Sequence, residues 1–283
     1  MGSCSSCPSK GKCSVVDTGK SCPSDLMAKM MPKYGTVKNI IGVVSGKGGV
    51  GKSTVTGILA TTLKEQGYKV GVLDADITGP SMPRIFGIHG ERSVMTAVND
   101  GKGVKFEPVL SKTGIKVNSL NLVNEVEDAP VIWRGPVVTG VLNQLYADTN
   151  WGELDYLLID MPPGTGDVTL TVMQSYPITE LIVVSTPQDM VSMIVKKLVT
   201  MASKIGVPVR GVVENMAYIE CECGKKMKIF SKKSSEEHAE ILGLPLIAEL
   251  PINLELTEAL EEGKAEAYIV DNPLYSSVFS ALY

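Results

Sequence analysis

Apolar residues along this chain gather in short runs. Ile40 to Ser45, Lys69 to Asp74, Leu154 to Asp160, Glu180 to Ser185, Val209 to Glu214 and Leu246 to Leu250 each read as a strand. A strand without a polar face is one covered on both sides. Stretches with helical spacing lie between them, such as Thr54 to Gln66 and Val137 to Tyr146. Strand and helix alternate, which predicts an α/β fold, a doubly wound, mostly parallel sheet with helices on both faces. Two weaker runs, Val104 to Leu110 and Ile115 to Leu120, are expected to form a hairpin at the sheet edge. No internal repeat is visible.

Residues 1–36 break the pattern. They are rich in Ser, Lys, Gly, Pro and Cys, with no apolar periodicity before Leu26-Met27-Ala28-Lys29-Met30-Met31. Too little apolar surface is present to bury a core, so a flexible, metal-binding tail is expected here, and residues 37–283 form the α/β domain. Four of the six cysteines, Cys4, Cys7, Cys13 and Cys22, fall in this tail. The sequence shows neither the apolar core of a signal peptide nor a run long enough to span a membrane. A cytoplasmic location is therefore expected, with cysteines serving as metal ligands in preference to disulfides. A net charge of −4 over 283 residues argues against nucleic-acid binding through global charge. The two histidines, His89 and His238, are isolated and are expected to carry no function.

Between the strand ending at Ser45 and the helix opening at Thr54 stands Gly46-Lys47-Gly48-Gly49-Val50-Gly51-Lys52-Ser53-Thr54. Strand, glycine-rich loop and helix make a phosphate-binding loop. Glycines let successive backbone N–H groups converge on a phosphate, and the helix N-terminus adds its positive end. Lys52 is placed to neutralise the outer phosphates and the Ser53 hydroxyl to ligate Mg²⁺. Asp160 closes an apolar strand, the position of a carboxylate that supports Mg²⁺ directly or through water. Asp74-Ala75-Asp76-Ile77-Thr78-Gly79-Pro80-Ser81 follows the second strand, at the sheet edge where α/β proteins bind ligands.

The second lysine of the loop, Lys47, makes it resemble the deviant Walker A ATPases of the MinD/ParA and nitrogenase iron protein group. That resemblance implies a homodimer in which Lys47 reaches the partner's nucleotide and acts as an arginine finger does. More of the chain, from about residue 38 to the C-terminus, resembles the Mrp/ApbC family of P-loop ATPases, whose eukaryotic relatives serve cytosolic iron–sulfur assembly. The resemblance rests on the Asp74–Ser81 segment with Pro83-Arg84, on Trp133-Arg134-Gly135-Pro136, on Ile159-Asp160-Met161-Pro162-Pro163-Gly164-Thr165-Gly166-Asp167, and on Glu214-Asn215-Met216 with the Cys221 segment. It implies that Asp76 orients the attacking water and Asp160 serves Mg²⁺. Gly164 would sense the γ-phosphate through its N–H, Asn215 would hydrogen-bond adenine, and Pro251 would close over the base.

Cys4-x₂-Cys7-x₅-Cys13 resembles the cysteine tail of the eukaryotic branch, with Cys22 substituting for a further upstream cysteine of that branch that has no counterpart here. Four thiolates suit a 4Fe–4S cluster or zinc, and the resemblance implies the cluster. Cys221-Glu222-Cys223 stands where the family has Cys-x₂-Cys, and it is expected to hold a 4Fe–4S cluster shared across the dimer. The function implied is an ATP-hydrolysing cluster carrier that receives clusters from donors and passes them to apo iron–sulfur proteins, without nucleic acid or membrane as partner. A partitioning ATPase is the rival, but the C-terminal Asn272–Tyr283 has no Lys or Arg with which to form a basic helix. ATP-coupled electron transfer is the other.

Overall fold

The computed structural model describes residues 29–77, 79–98, 103–123, 135–221, 223–279 and 282. The expected tail ligands Cys4, Cys7, Cys13 and Cys22 lie outside them, as do Trp133 and Arg134.

β1 (Tyr34–Ser45) runs through the glycine loop into α1 (Lys52–Glu65) and β2 (Val70–Asp74). Short elements follow: α2 (Met82–Ile85), β3 (Val94–Ala97), β4 (Val104–Glu107), β5 (Val109–Leu110), β6 (Lys116–Asn118) and α3 (Leu120–Val123). The chain then builds α4 (Gly135–Ala147), β7 (Asn150–Asp160), α5 (Asp167–Ser175), β8 (Glu180–Ser185), α6 (Asp189–Ile205) and β9 (Val209–Glu214). A small hairpin, β10 (Ile219–Glu220) and β11 (Lys226–Met227), precedes α7 (Ser235–Leu242) and β12 (Leu246–Glu249). Helices α8 (Leu254–Glu261), α9 (Ala265–Asp271) and α10 (Pro273–Val278) close the fold.

Among the described residues, eight strands form one sheet in the order β12-β9-β8-β1-β7-β2-β6-β5. Every pairing in it is parallel except that of β5 with β6. The apolar runs explain this: all five residues of β2 are buried, as a parallel sheet covered on both faces requires. One face packs under α4, α5, α6 and α7, the other under α1, α9 and α10. The first of these cores is anchored by Trp151, whose indole N–H donates to the Tyr146 carbonyl at 2.9 Å. The Tyr146 and Tyr176 rings stack there at 4.0 Å.

Three boundaries differ from the sequence expectation. β1 begins at Tyr34, because its first residues pair with β7 from Asn150 onward although their burial alternates. The domain reaches further still. The Met30 N–H donates to the Ser175 carbonyl at 2.7 Å, the Lys33 N–H to Ala147 at 2.8 Å, and Lys29 Nζ to Met173 at 2.9 Å. The edge hairpin is made only of β5 and β6, while Val104–Glu107 pairs with β3 in a separate two-stranded sheet. β3 is exposed along its whole length, so no buried face announces it in the sequence.

Candidate functional site

The parallel register brings the carboxyl ends of β1, β2 and β7 side by side, with Asp74 and Asp160 as direct partners. Beside them the glycine loop turns into α1. Gly51 sits at φ 78°, in the left-handed region, and a Cβ there would collide with the side-chain amide of Asn215. Glycine is needed twice over, for conformation and for space. Gly46, Gly48, Gly49 and Val50 complete the loop, with Thr54 in the first turn of α1.

Lys52 is buried and lies against Asp160, Nζ to Oδ2 2.7 Å, with side-chain exposures of 6% and 0%. The Ser53 hydroxyl donates to the same oxygen at 2.6 Å and Thr56 Oγ1 donates to Oδ1 at 2.8 Å. Asp160 thus takes three donors from one turn of α1. Asp76 Oδ2 stands 3.8 Å from Lys52 Nζ. Asp74 behind it accepts from the Ser81 and Met82 N–H groups at 3.0 and 3.1 Å and from the Ser119 hydroxyl at 3.1 Å. Burial, and after it the charge of Asp160, raises the Asp74 carboxyl to about 7. Asp74 therefore ties down the loop that carries Asp76.

Lys47 reaches Gln188, Nζ to Oε1 2.7 Å. The Gly164 N–H donates to the Ser45 carbonyl at 2.8 Å, so contact with a γ-phosphate would require that bond to open. Asn215 Nδ2 donates to the Val50 carbonyl at 2.9 Å. The segment after Asn215 is laced to the one holding Pro251: Ala217 N–H to Leu250 O at 2.9 Å, Ile252 N–H to Tyr218 O at 2.8 Å. A cavity of about 340 Å³ opens beside Ser53 and Thr54, walled by Arg84 and Thr257 among others. Neither Asn215 nor Pro251 lines it.

The segment from Asn215 leads directly into the β10–β11 hairpin, whose turn holds Cys221 and Cys223. The Cys221 N–H donates to Lys225 O at 3.1 Å and the Gly224 N–H to Cys221 O at 2.8 Å. Thiol ligands were expected here, and the structure brings Cys221 and Cys223 together, joined as a disulfide. The turn is the reason, since it sets their Cα atoms 5.3 Å apart, within disulfide reach.

A family model described as "ParA: NUBPL iron-transfer P-loop NTPase" matches residues 36–282. The chain belongs to this family. A relative from Clostridium perfringens, an iron-sulfur cluster carrier protein, is 72% identical over 100% of both chains. Among solved structures, a nucleotide-binding protein from Archaeoglobus fulgidus in complex with ADP is 40% identical. It has a TM-score of 0.71 and covers 84% of this chain and 90% of its own. MinD from Pyrococcus furiosus, 21% identical with a TM-score of 0.60 over 87% of this chain and 99% of its own, shares the fold.

In this NUBPL-type NTPase, sequence reasoning passed over Thr56, Gln188 and Ser119. Thr56 has a local signal, four residues after Lys52 on one helix face. A buried cluster was missed as well. Ser235 Oγ lies 2.8 Å from Glu214 Oε1 and 2.5 Å from Glu249 Oε1, and His238 Nδ1 lies 2.8 Å from Glu214 Oε2. His238, expected to be idle, thus braces the residue preceding Asn215. Among the described residues no helix is long and apolar enough to cross a membrane.

Proposed function

We propose that this chain is an ATP-hydrolysing carrier of 4Fe–4S clusters, working as a cytoplasmic homodimer that passes its cargo to apo iron–sulfur proteins. One observation carries the reading. The segment that touches the phosphate loop through Asn215 continues within six residues into the cysteine turn, so nucleotide and cargo share a single stretch of backbone.

The glycine loop and Lys52 hold the phosphates of ATP, Lys52 leaving Asp160 to do so. Ser53 and Asp160 offer hard oxygen donors beside each other, a donor set that fits Mg²⁺. When bound, that ion supplies charge neutralisation for phosphoryl transfer. Asp76, held near Lys52 by the Asp74-anchored loop, accepts from the attacking water and orients it. Lys47 exchanges Gln188 for the partner's nucleotide and stabilises charge developing on the transferred group.

The cargo needs four thiolates and the turn supplies two, Cys221 and Cys223. A two-fold axis brings the second pair from the other protomer. Cys4, Cys7, Cys13 and Cys22 hold a second metal centre, independent of the first. The test uses protein lacking residues 1–28, reduced and reconstituted with iron and sulfide without oxygen. One 4Fe–4S cluster per dimer is expected by iron and sulfide analysis, and none with Cys221→Ala or Cys223→Ala. A cluster surviving both substitutions together, or one per monomer, sinks the shared site.

A further inference from the structure

Beyond the cysteine turn the chain changes character. Five of the ten residues 224–233 are lysine and none is acidic, in a protein of net charge −4. Their contacts sort them. Lys226 and Lys228 face the domain. The first lies 4.1 Å from the centre of the Tyr218 ring, and the second 3.7 Å from Glu249 Oε1, also donating to the Lys233 carbonyl at 3.2 Å. Beside them Lys225, Met227, Ile229, Phe230 and Lys232 are all exposed within eight residues of chain. The three apolar side chains are 45%, 55% and 42% exposed. Lys225 and Lys232 are exposed, and their side-chain ammonium groups have no salt-bridge or hydrogen-bond partner among the described residues.

An apolar centre with a charged rim is the anatomy of a transient protein interface, and the sign of the rim specifies the partner. We infer that residues 225–232 are the docking face for recipient proteins, and that these present a carboxylate-rich surface around a small apolar spot. The inference rests on the carrier reading, because a cargo held at Cys221 and Cys223 leaves past this face. The shared cysteine site seats a second copy at Cys221 and Cys223, but that copy brings the same lysines, so like charge keeps it off residues 225–232 and leaves them to an acidic partner.

The face is tested on full-length, reduced, cluster-free protein, with a fluorescently labelled, acidic four-cysteine apo-ferredoxin as probe. Binding is followed by anisotropy from low to high salt. The wild type is expected to bind, with an affinity that falls steeply as salt rises. Lys225→Glu combined with Lys232→Glu should weaken binding at low salt by roughly tenfold or more and flatten the salt dependence. Met227→Ser should weaken it while leaving the slope intact. Both lysines are exposed, so an unchanged melting temperature and ATP turnover are expected in the reversal variant. Absence of binding by the wild type, or equal binding by the reversal variant, overturns the inference. So does duplex DNA binding as tightly with the same lysine dependence, or loss of the dimer in the reversal variant by ultracentrifugation. Failure of the wild type to hold a cluster at Cys221 and Cys223 defeats the carrier reading instead, and leaves this measurement decisive for docking.

Discussion

Thr56 shows how much of the site is held by a fully buried residue behind the phosphate loop. Its hydroxyl supplies the donor to Asp160 Oδ1, while Lys52 and Ser53 both serve Oδ2. A buried carboxylate oxygen without a donor costs about 1–3 kcal/mol. Thr56→Val keeps the shape and removes the donor. Its melting temperature should fall by several degrees in calorimetry, with Thr56→Ser restoring most of the loss. Equal stability of the valine and serine variants would show that another group satisfies Oδ1.

At the scale of elements, the short stretch before β1 decides where the domain starts. Residues 29–33 give three hydrogen bonds to the end of α5 and to α4, and Met30 packs on the core beneath them. Deleting residues 1–28 should leave the melting temperature unchanged, whereas deleting 1–33 should cost about 2–4 kcal/mol. Two melting curves check this, and identical curves would show that the contacts are inert. The sequence concealed the boundary because the apolar stretch ending at Met31 is too short to mark an element, and Lys29 to Lys33 gain their hydrogen bonds only from α4 and α5. The glycine loop was legible for the opposite reason, since its backbone demands are local. Asp160 could be read from the strand it closes. The partners Asp74 with Ser119 and Glu214 with His238 lie 45 and 24 residues apart. Only the sheet topology brings them together, and no spacing rule reaches that far. β3 was passed over because its apolar residues, Val94, Met95 and Ala97, form too short a run to mark a strand, and the pairing with β4 that makes it one is not local.

For the molecule as a whole, the ion pair of Lys52 with Asp160 fills the resting site, and a phosphate that takes Lys52 must enter by exchange. A nucleotide arriving alone would draw Lys52 to its phosphates and strand Asp160, which has no exposure, as a buried carboxylate short of its cation. Removing one partner from such a pair is strongly unfavourable. On the function proposed above, nucleotide and divalent cation would therefore bind as complementary halves of a double displacement, the anion taking Lys52 as the cation takes Asp160. Thermodynamic reciprocity then requires each to raise the affinity for the other by the same factor. Calorimetric titration with ATP in the presence of EDTA should show binding weakened by roughly a hundredfold or more relative to magnesium, and Asp160→Asn should shrink that gap. Metal-independent ATP affinity in the wild type would mean that Lys52 never has to leave.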